Sequence, residues 1–176
     1  AYGAILPKGA LVTMNRDAHR TPRMLKRAII SGLPSAGVNV EDVRTVPIPV
    51  ARYLTRMLNA AGGVHVRVSP FDNRVVDIKF FDRNGLDIDR ATERKIENAF
   101  FREDFRRVYL DDIGVINTLE PPQSAARYVE GFMKVVNADI IRHARFRLIV
   151  DYAFATISLI MPTIMDQLGV QLVALN

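Results

Sequence analysis

Ser69 is the side chain whose setting most invites chemistry. The alternating run Val64-His65-Val66-Arg67-Val68 predicts a strand, and Ser69-Pro70 breaks it into a short polar loop, Phe71 to Arg74. A hydroxyl there hangs from the end of a rigid element, the place where proteins commonly present groups for binding and catalysis. The loop supplies no base to activate it, so hydrogen bonding to its own neighbours is the competing role. Arg67 projects towards the same loop and can either grip an oxyanion through two N–H groups or pair with Asp72 or Asp77. Lys79, ten positions after Ser69, alternates with Ile78 and Phe80 and reads as a solvent-facing strand residue. Arg16-Asp17 reads as an internal ion pair that shapes the first loop. His19, His65 and His143 lie far apart and have no metal-ligand spacing, and no Walker loop, dinucleotide-binding glycine pattern or Gly-x-Ser-x-Gly elbow occurs.

The elements that position these groups follow from periodicity and breakers. A helical turn over 1–6 stops at Pro7 and Gly9, and Ala10 to Met14 forms a short buried strand. Thr21 is the expected N-cap of a helix with Pro22 at its first position. Leu25, Ala28, Ile29 and Leu33 make its inner face, with Arg23, Lys26 and Arg27 on the other. A strand over 38–46 ends at Pro47 and Pro49, and a helix over 50–60 buries Tyr53, Leu54 and Met57 before Gly62-Gly63. After the Ser69 loop comes a second strand, Val75 to Phe81, with a turn at Asn84-Gly85. Asp89 then caps a helix that turns Ile96, Ala99 and Phe100 inward. An exit strand over 114–119 precedes Glu120-Pro121-Pro122-Gln123-Ser124, the clearest linker signal in the chain. Beyond it lie a helix over 125–136, a strand at Phe146 to Val150, a helix over 156–168 that Pro162 bends or divides, and a last strand at Val170 to Leu175. Strands alternating with helices predict βαβ units and a mostly parallel sheet. The second unit has too few strands for a sheet of its own and reads as truncated.

Composition narrows the classes. A chain of 176 residues with 49% hydrophobic and 24% charged residues can bury a sizeable core. It has no cysteine, which excludes disulfides, thiolate metal sites and a thiol nucleophile, and favours a cytoplasmic protein. No apolar run approaches the ~18 residues that a membrane helix needs. The +5 balance and pI near 9.8 favour anionic partners. The arginines are scattered and lack the aromatic interleaving of a nucleic-acid surface, so neither nucleic acid nor membrane is expected as a partner.

The stretch GGVHVRVSPFDNRVVDIKFF, residues 62 to 81, resembles the active-site serine segment of the α-D-phosphohexomutases, the phosphoglucomutase and phosphomannomutase superfamily. There the pattern runs GGV-x-I-T-A-S-H-N-P-x-x-Y-N-G-I-K-F. The segment MNRDAHRTPRMLKRAIISGLPSAGVNVEDVRTVPIPV is similar to the family's GRDxR motif, the helix after it and the strand that ends in Pro-x-Pro. Residues 145–176 resemble the opening βαβ of the second domain. The resemblance implies a three-layer α/β/α fold with a mixed, mostly parallel sheet plus an incomplete second α/β unit. The divisions are a phosphohexomutase-like first domain over 1–120, a linker over 121–124 and the start of the second domain over 125–176.

It also implies roles. Ser69 falls on the family's phosphate-carrying serine, Lys79 on an acid/base position, and Arg16 or Arg67 would stabilise a phosphoryl group. The surroundings depart from the pattern: Arg67 replaces threonine, Pro70 histidine, Phe71 asparagine and Asp72 proline, while Asn15 and His19 replace a glycine and an arginine of the first motif. The family's magnesium-binding aspartates and sugar-reading loops fall outside these residues, so no cofactor is expected in this chain, although a complete family member can hold Mg2+. The loop is similar to the mutase-like half of two-part proteins that also carry a sugar nucleotidyltransferase. A catalytically degenerate domain is therefore expected, one that binds sugar phosphate or organises an assembly beside a nucleotidyltransferase. The alternative is an active mutase fragment working through Ser69. An exposed half-sheet after residue 125 would be apolar and is expected either to pair with another copy, making the chain a homo-oligomer, or to be partly disordered.

Overall fold

Alternation along the central strands builds the core. Val12, Met14, Val64 and Val66, each at most 1% exposed, point to one side of a sheet and join Val38, Val40, Leu33 and Ile96 there. The computed structural model describes residues 1–176. In order, its elements are α1 (Tyr2–Ile5), β1 (Leu11–Arg16), α2 (Arg20–Gly32), β2 (Asn39–Thr45), α3 (Ile48–Met57), β3 (Gly62–Val68), β4 (Val76–Phe81), α4 (Arg90–Phe101), β5 (Ile116–Thr118), α5 (Pro121–Met133), α6 (Ala138–Ala144), β6 (Arg147–Asp151), α7 (Met161–Gln167) and β7 (Gln171–Leu175). The main sheet has the order β4-β3-β1-β2-β5. Four of its strands are parallel, and the edge strand β4 is antiparallel to β3. Helices α1, α2 and α4 cover one face, and α3 and α5 the other. The expected three-layer α/β/α architecture with a mixed, mostly parallel sheet is the one observed.

Strands β6 and β7 form a separate two-stranded parallel sheet. It does not stand alone, because Val43, Val50, Leu54 and Phe81 share one cluster with Val129, Ile160, Ile164 and Val170. Burying each of those apolar side chains is worth about 1.5–3 kcal/mol, so the C-terminal elements are fastened to the main sheet through α3 and α5.

Four expectations are corrected. The predicted linker is the N-cap and first turn of α5, with Pro121 and Pro122 at positions where a helix needs no N–H. Helix α2 starts at Arg20 with His19 as its N-cap, and Thr21 and Pro22 lie within its first turn, where a missing donor again costs nothing. Lys26, expected on the solvated side, is only 5% exposed and pairs with Asp42. Phe100, expected inward, is 60% exposed and meets Phe101 edge to face. Pro162 does divide its helix: a 3₁₀ turn at Thr156–Leu159 comes first, and the proline sits in the first turn of α7.

Candidate functional site

The Ser69 loop is held by a carboxylate from the neighbouring strand. Asp17, just past β1, accepts the Val68 backbone N–H at 2.8 Å and the His19 N–H at 2.9 Å, while its own N–H donates to the Val66 carbonyl at 3.0 Å. Arg16 does not form the predicted side-chain pair with Asp17. Its Nη1 donates to the Asp17 backbone carbonyl at 2.5 Å. The first loop is shaped by Asp17 reaching across to β3.

Beyond Val68 the loop closes on itself. The Ser69 N–H donates to the Val75 carbonyl at 2.8 Å, and the Val75 N–H to the Asp72 carbonyl at 3.0 Å. Asp72 accepts the Arg74 N–H, Nε and Nη2 at 2.9, 3.0 and 2.8 Å, and these bonds hold its carboxyl below the ordinary carboxylate range. Ser69 is half-buried, and its Oγ accepts the Phe71 N–H at 3.4 Å. Phe71, at the family's asparagine position, is 95% exposed.

The cations expected to serve that serine are engaged elsewhere. Arg67 lies opposite Asp77 across the β3–β4 ladder and donates Nε to its Oδ2 at 3.1 Å. Lys79 pairs with His65, four residues before Ser69, which at a strand's rise places it about 13 Å down the ladder from the serine. Its Nζ is 3.7 Å from Asp87, which also takes Arg52 Nη2 at 2.5 Å. Asp87 bridges to Phe81 at the far end of β4, so this network draws the ammonium away from the loop. Gly85 completes it: at φ +75° it lets Arg52 Nη1 bond its carbonyl at 3.2 Å, and a Cβ there would lie 2.4 Å from the Arg52 carbonyl oxygen.

A cleft of about 500 Å³ opens along this β4 edge. Two cations, Arg67 and Lys79, line it against three carboxylates, Asp77, Asp87 and Glu93. Arg16, the fourth predicted site residue, lines a separate pocket with Arg23, Lys26, Arg27, Asp42 and Arg44, beside α2 at the C-terminal ends of β1 and β2. The structure therefore brings Arg67 and Lys79 to one cleft and leaves Arg16 out of it.

Two features escape a reading of spacing alone. Asn15 donates Nδ2 to the Val46 carbonyl at 3.1 Å, which leaves its oxygen to accept Nδ1–H of His65 at 3.0 Å. Burial holds His65 neutral, with its pKa lowered to about 4. Lys26 follows buried Pro22 and precedes Ile29, Ile30 and Leu33 at helical spacing, so an inner stripe drawn through those positions runs across it.

Comparison with known proteins bears on the same residues. The family model for phosphoglucomutase/phosphomannomutase, alpha/beta/alpha domain I, matches residues 1–107. A phosphoglucomutase/phosphomannomutase of Thermococcus kodakarensis is 32% identical over 180 residues, covering 100% of this chain and 39% of its own length. A phosphoglucosamine mutase of Methanocaldococcus jannaschii is 28% identical over 173 residues, covering 98% of this chain and 37% of its own. The crystal structure of a phosphoglucomutase/phosphomannomutase family protein from Burkholderia thailandensis superposes with a TM-score of 0.75 at 20% identity, over 99% of this chain and 38% of that one. The chain thus spans less than two-fifths of the length of these relatives. With the domain I match extending over more than half its residues, the chain belongs to the phosphoglucomutase/phosphomannomutase family.

Proposed function

We propose that this chain is a phosphohexomutase-type domain of sugar-phosphate metabolism that has lost phosphoryl transfer and acts as a sugar-phosphate-binding or organising module beside a sugar nucleotidyltransferase. The observation that carries the loss is the charge of the cleft next to the Ser69 loop, where carboxylates outnumber cations. Moving a phosphoryl group onto a serine requires positive charge around the transferring oxygens and a base at the hydroxyl. Here the hydroxyl accepts a backbone N–H, Arg67 is neutralised by Asp77, and Lys79 is tied to Asp87. The aspartates that hold magnesium in a complete family member are expected outside these residues, and no step is assigned to the metal.

Incubation with a hexose 1,6-bisphosphate and Mg2+, followed by intact mass measurement, tests the loss. No covalent phosphate is expected. A phosphate adduct that Ser69→Ala abolishes would establish the alternative, an active mutase segment. The nucleotidyltransferase half is tested on the gene sequence: a glycine-rich nucleotide-binding loop encoded ahead of Ala1 supports it, and its absence removes it. The organising role assigns the open face of the small sheet to a second copy. Ile149, Val173 and Leu175 share that face and are 75%, 56% and 47% exposed. Light scattering should therefore give a dimer or higher, and a monomer across concentrations would remove that part.

A further inference from the structure

The pocket that takes Arg16 away from the serine loop has a composition unlike any other surface of the molecule described above. It encloses about 120 Å³ between α2 and the C-terminal ends of β1 and β2, and five cations line it against one carboxylate. We infer that this pocket is a binding site for a phosphate dianion, either inorganic phosphate or the phosphate of a small ester, gripped by Arg16, Arg23, Arg27 and Arg44 over a floor of Lys26 and Asp42. The site goes beyond the reading given above and stands whether or not Ser69 carries phosphate.

Three observations carry it. Asp42 cannot neutralise its surroundings, because it accepts Lys26 Nζ and the Arg44 backbone N–H while Arg44 Nη1 lies 4.0 Å from its other oxygen. Glu120 takes part of the Arg44 charge at 3.3 Å, but Arg23 and Arg27 have no carboxylate partner. Next, the backbone is bent to build the cluster. Met14 pairs with Asp42 and Arg16 with Thr45, so one residue of β1 opposes two of β2, and Arg44 sits in this bulge at φ +62°. A non-glycine residue in the left-handed region is strained and is kept where the surroundings enforce it. Bulges redirect side chains at such places, and this one releases Arg44 from its place opposite Arg16. Finally, the cations press on one another: burial, then the Arg23 charge, lower the Arg16 pKa, and Asp17 and Asp42 offset this only in part. Like charges are held together at a cost, and a bound dianion would relieve it. Planar guanidinium groups present paired N–H donors that match phosphate oxygens.

Thermal unfolding and calorimetric titration of the chain with inorganic phosphate and with a hexose 1-phosphate, against sodium chloride at matched ionic strength, test the site. Saturable stabilisation by phosphate beyond chloride is expected. The double variant R23Q/R27Q should bind on the order of tenfold or more weakly, as expected for the loss of two charge-assisted contacts. Both side chains are exposed and unpaired, so the fold should survive, and without phosphate the variant should melt higher than the parent because repulsion has been removed. Arg67→Gln, on the other cleft, should leave the affinity unchanged. A hexose phosphate that binds more tightly than inorganic phosphate would identify an ester as the ligand, and equal affinities would identify free phosphate. The site is overturned if phosphate acts no differently from chloride, if R23Q/R27Q binds as tightly as the parent, or if only an oligonucleotide binds through these arginines.

Discussion

Two clefts open from one sheet and treat charge in opposite ways. Along β4 every cation is matched: Arg67 to Asp77, Lys79 and Arg52 to Asp87, and in the adjoining loop Arg74 to Asp72. Between α2 and β2 a single buried carboxylate serves five cations. Surface pairs of the first kind hold side chains in place for little net energy, with a median near 0–1 kcal/mol. An unmatched cluster is costly to fold and useful only with an anion present. Family resemblance directs attention to the first cleft, yet the excess positive charge lies in the second. On the proposed loss of phosphoryl transfer, positive charge is concentrated beside α2 and not at the serine loop.

The comparison depends most heavily on Asp42. Removing it by Asp42→Ala strands Lys26 in the core with no counter-ion, at a cost of about 3–5 kcal/mol. Urea unfolding should register that loss, the largest expected here. Replacing both members, as in K26M/D42L, should recover most of it, because a well-packed apolar pair of similar volume is often neutral. If Asp42→Ala unfolds within 1 kcal/mol of the parent, about the worth of a surface pair, the buried pair is not holding the cluster and the contrast between the clefts collapses.

On the matched side the sensitive group is His65. It is 4% exposed, bonded to Asn15 and near Arg67, Arg52 and Lys79. Its folded pKa of about 4 lies below the ordinary 6.5. The unfolded chain therefore takes up this proton first as pH falls. The stabilisation is intact above pH 6.5, declines through the interval and is exhausted below pH 4, a loss on the order of 3 kcal/mol. His65→Gln should flatten the urea midpoint across that window. A midpoint for the parent that does not move between pH 6.5 and 4 would mean that His65 is not held neutral, and the β4 side would then carry one more cation than its pairs account for.

How much of this is legible in the amino acids differs by level. Alternating Val64 and Val66, the Gly62-Gly63 start and the Asn84-Gly85 turn mark the central ladder, because period and turn chemistry are local properties. Pairing of Arg67 with Asp77 is among the alternatives that the sequence allows, since both follow the alternation of a hairpin. Arg44 is beyond reach: its left-handed backbone exists only because β1 and β2 meet one residue out of step, which depends on two segments joined through a helix. Lys26 is misplaced when only apolar residues are used to draw the inner face of α2. Phe100 shows the reverse error, as an aromatic residue at core spacing lies over an open groove because nothing in this chain covers it. Pro121-Pro122 signals an end to structure when read as a breaker and a beginning when read as the first turn of a helix.

The smallest expected effect is also the sharpest probe of what a matched cation means. Arg67 and Asp77 face each other across the ladder, each about a quarter exposed, with both Nε and Nη2 at 3.1 Å from one carboxylate oxygen. A cross-strand pair of opposite charge contributes roughly 0.2–1 kcal/mol. A double-mutant cycle with Arg67→Ala and Asp77→Ala should return a coupling in that range, weakening as salt is raised because the pair is open to solvent. Phosphate should not change the cycle, since an arginine already satisfied by its neighbour has no charge left to offer. If the coupling vanishes when phosphate or a hexose phosphate is added, Arg67 leaves Asp77 for the ligand. In that case the serine-loop cleft is an anion site after all, and the division of labour between the two clefts has to be redrawn.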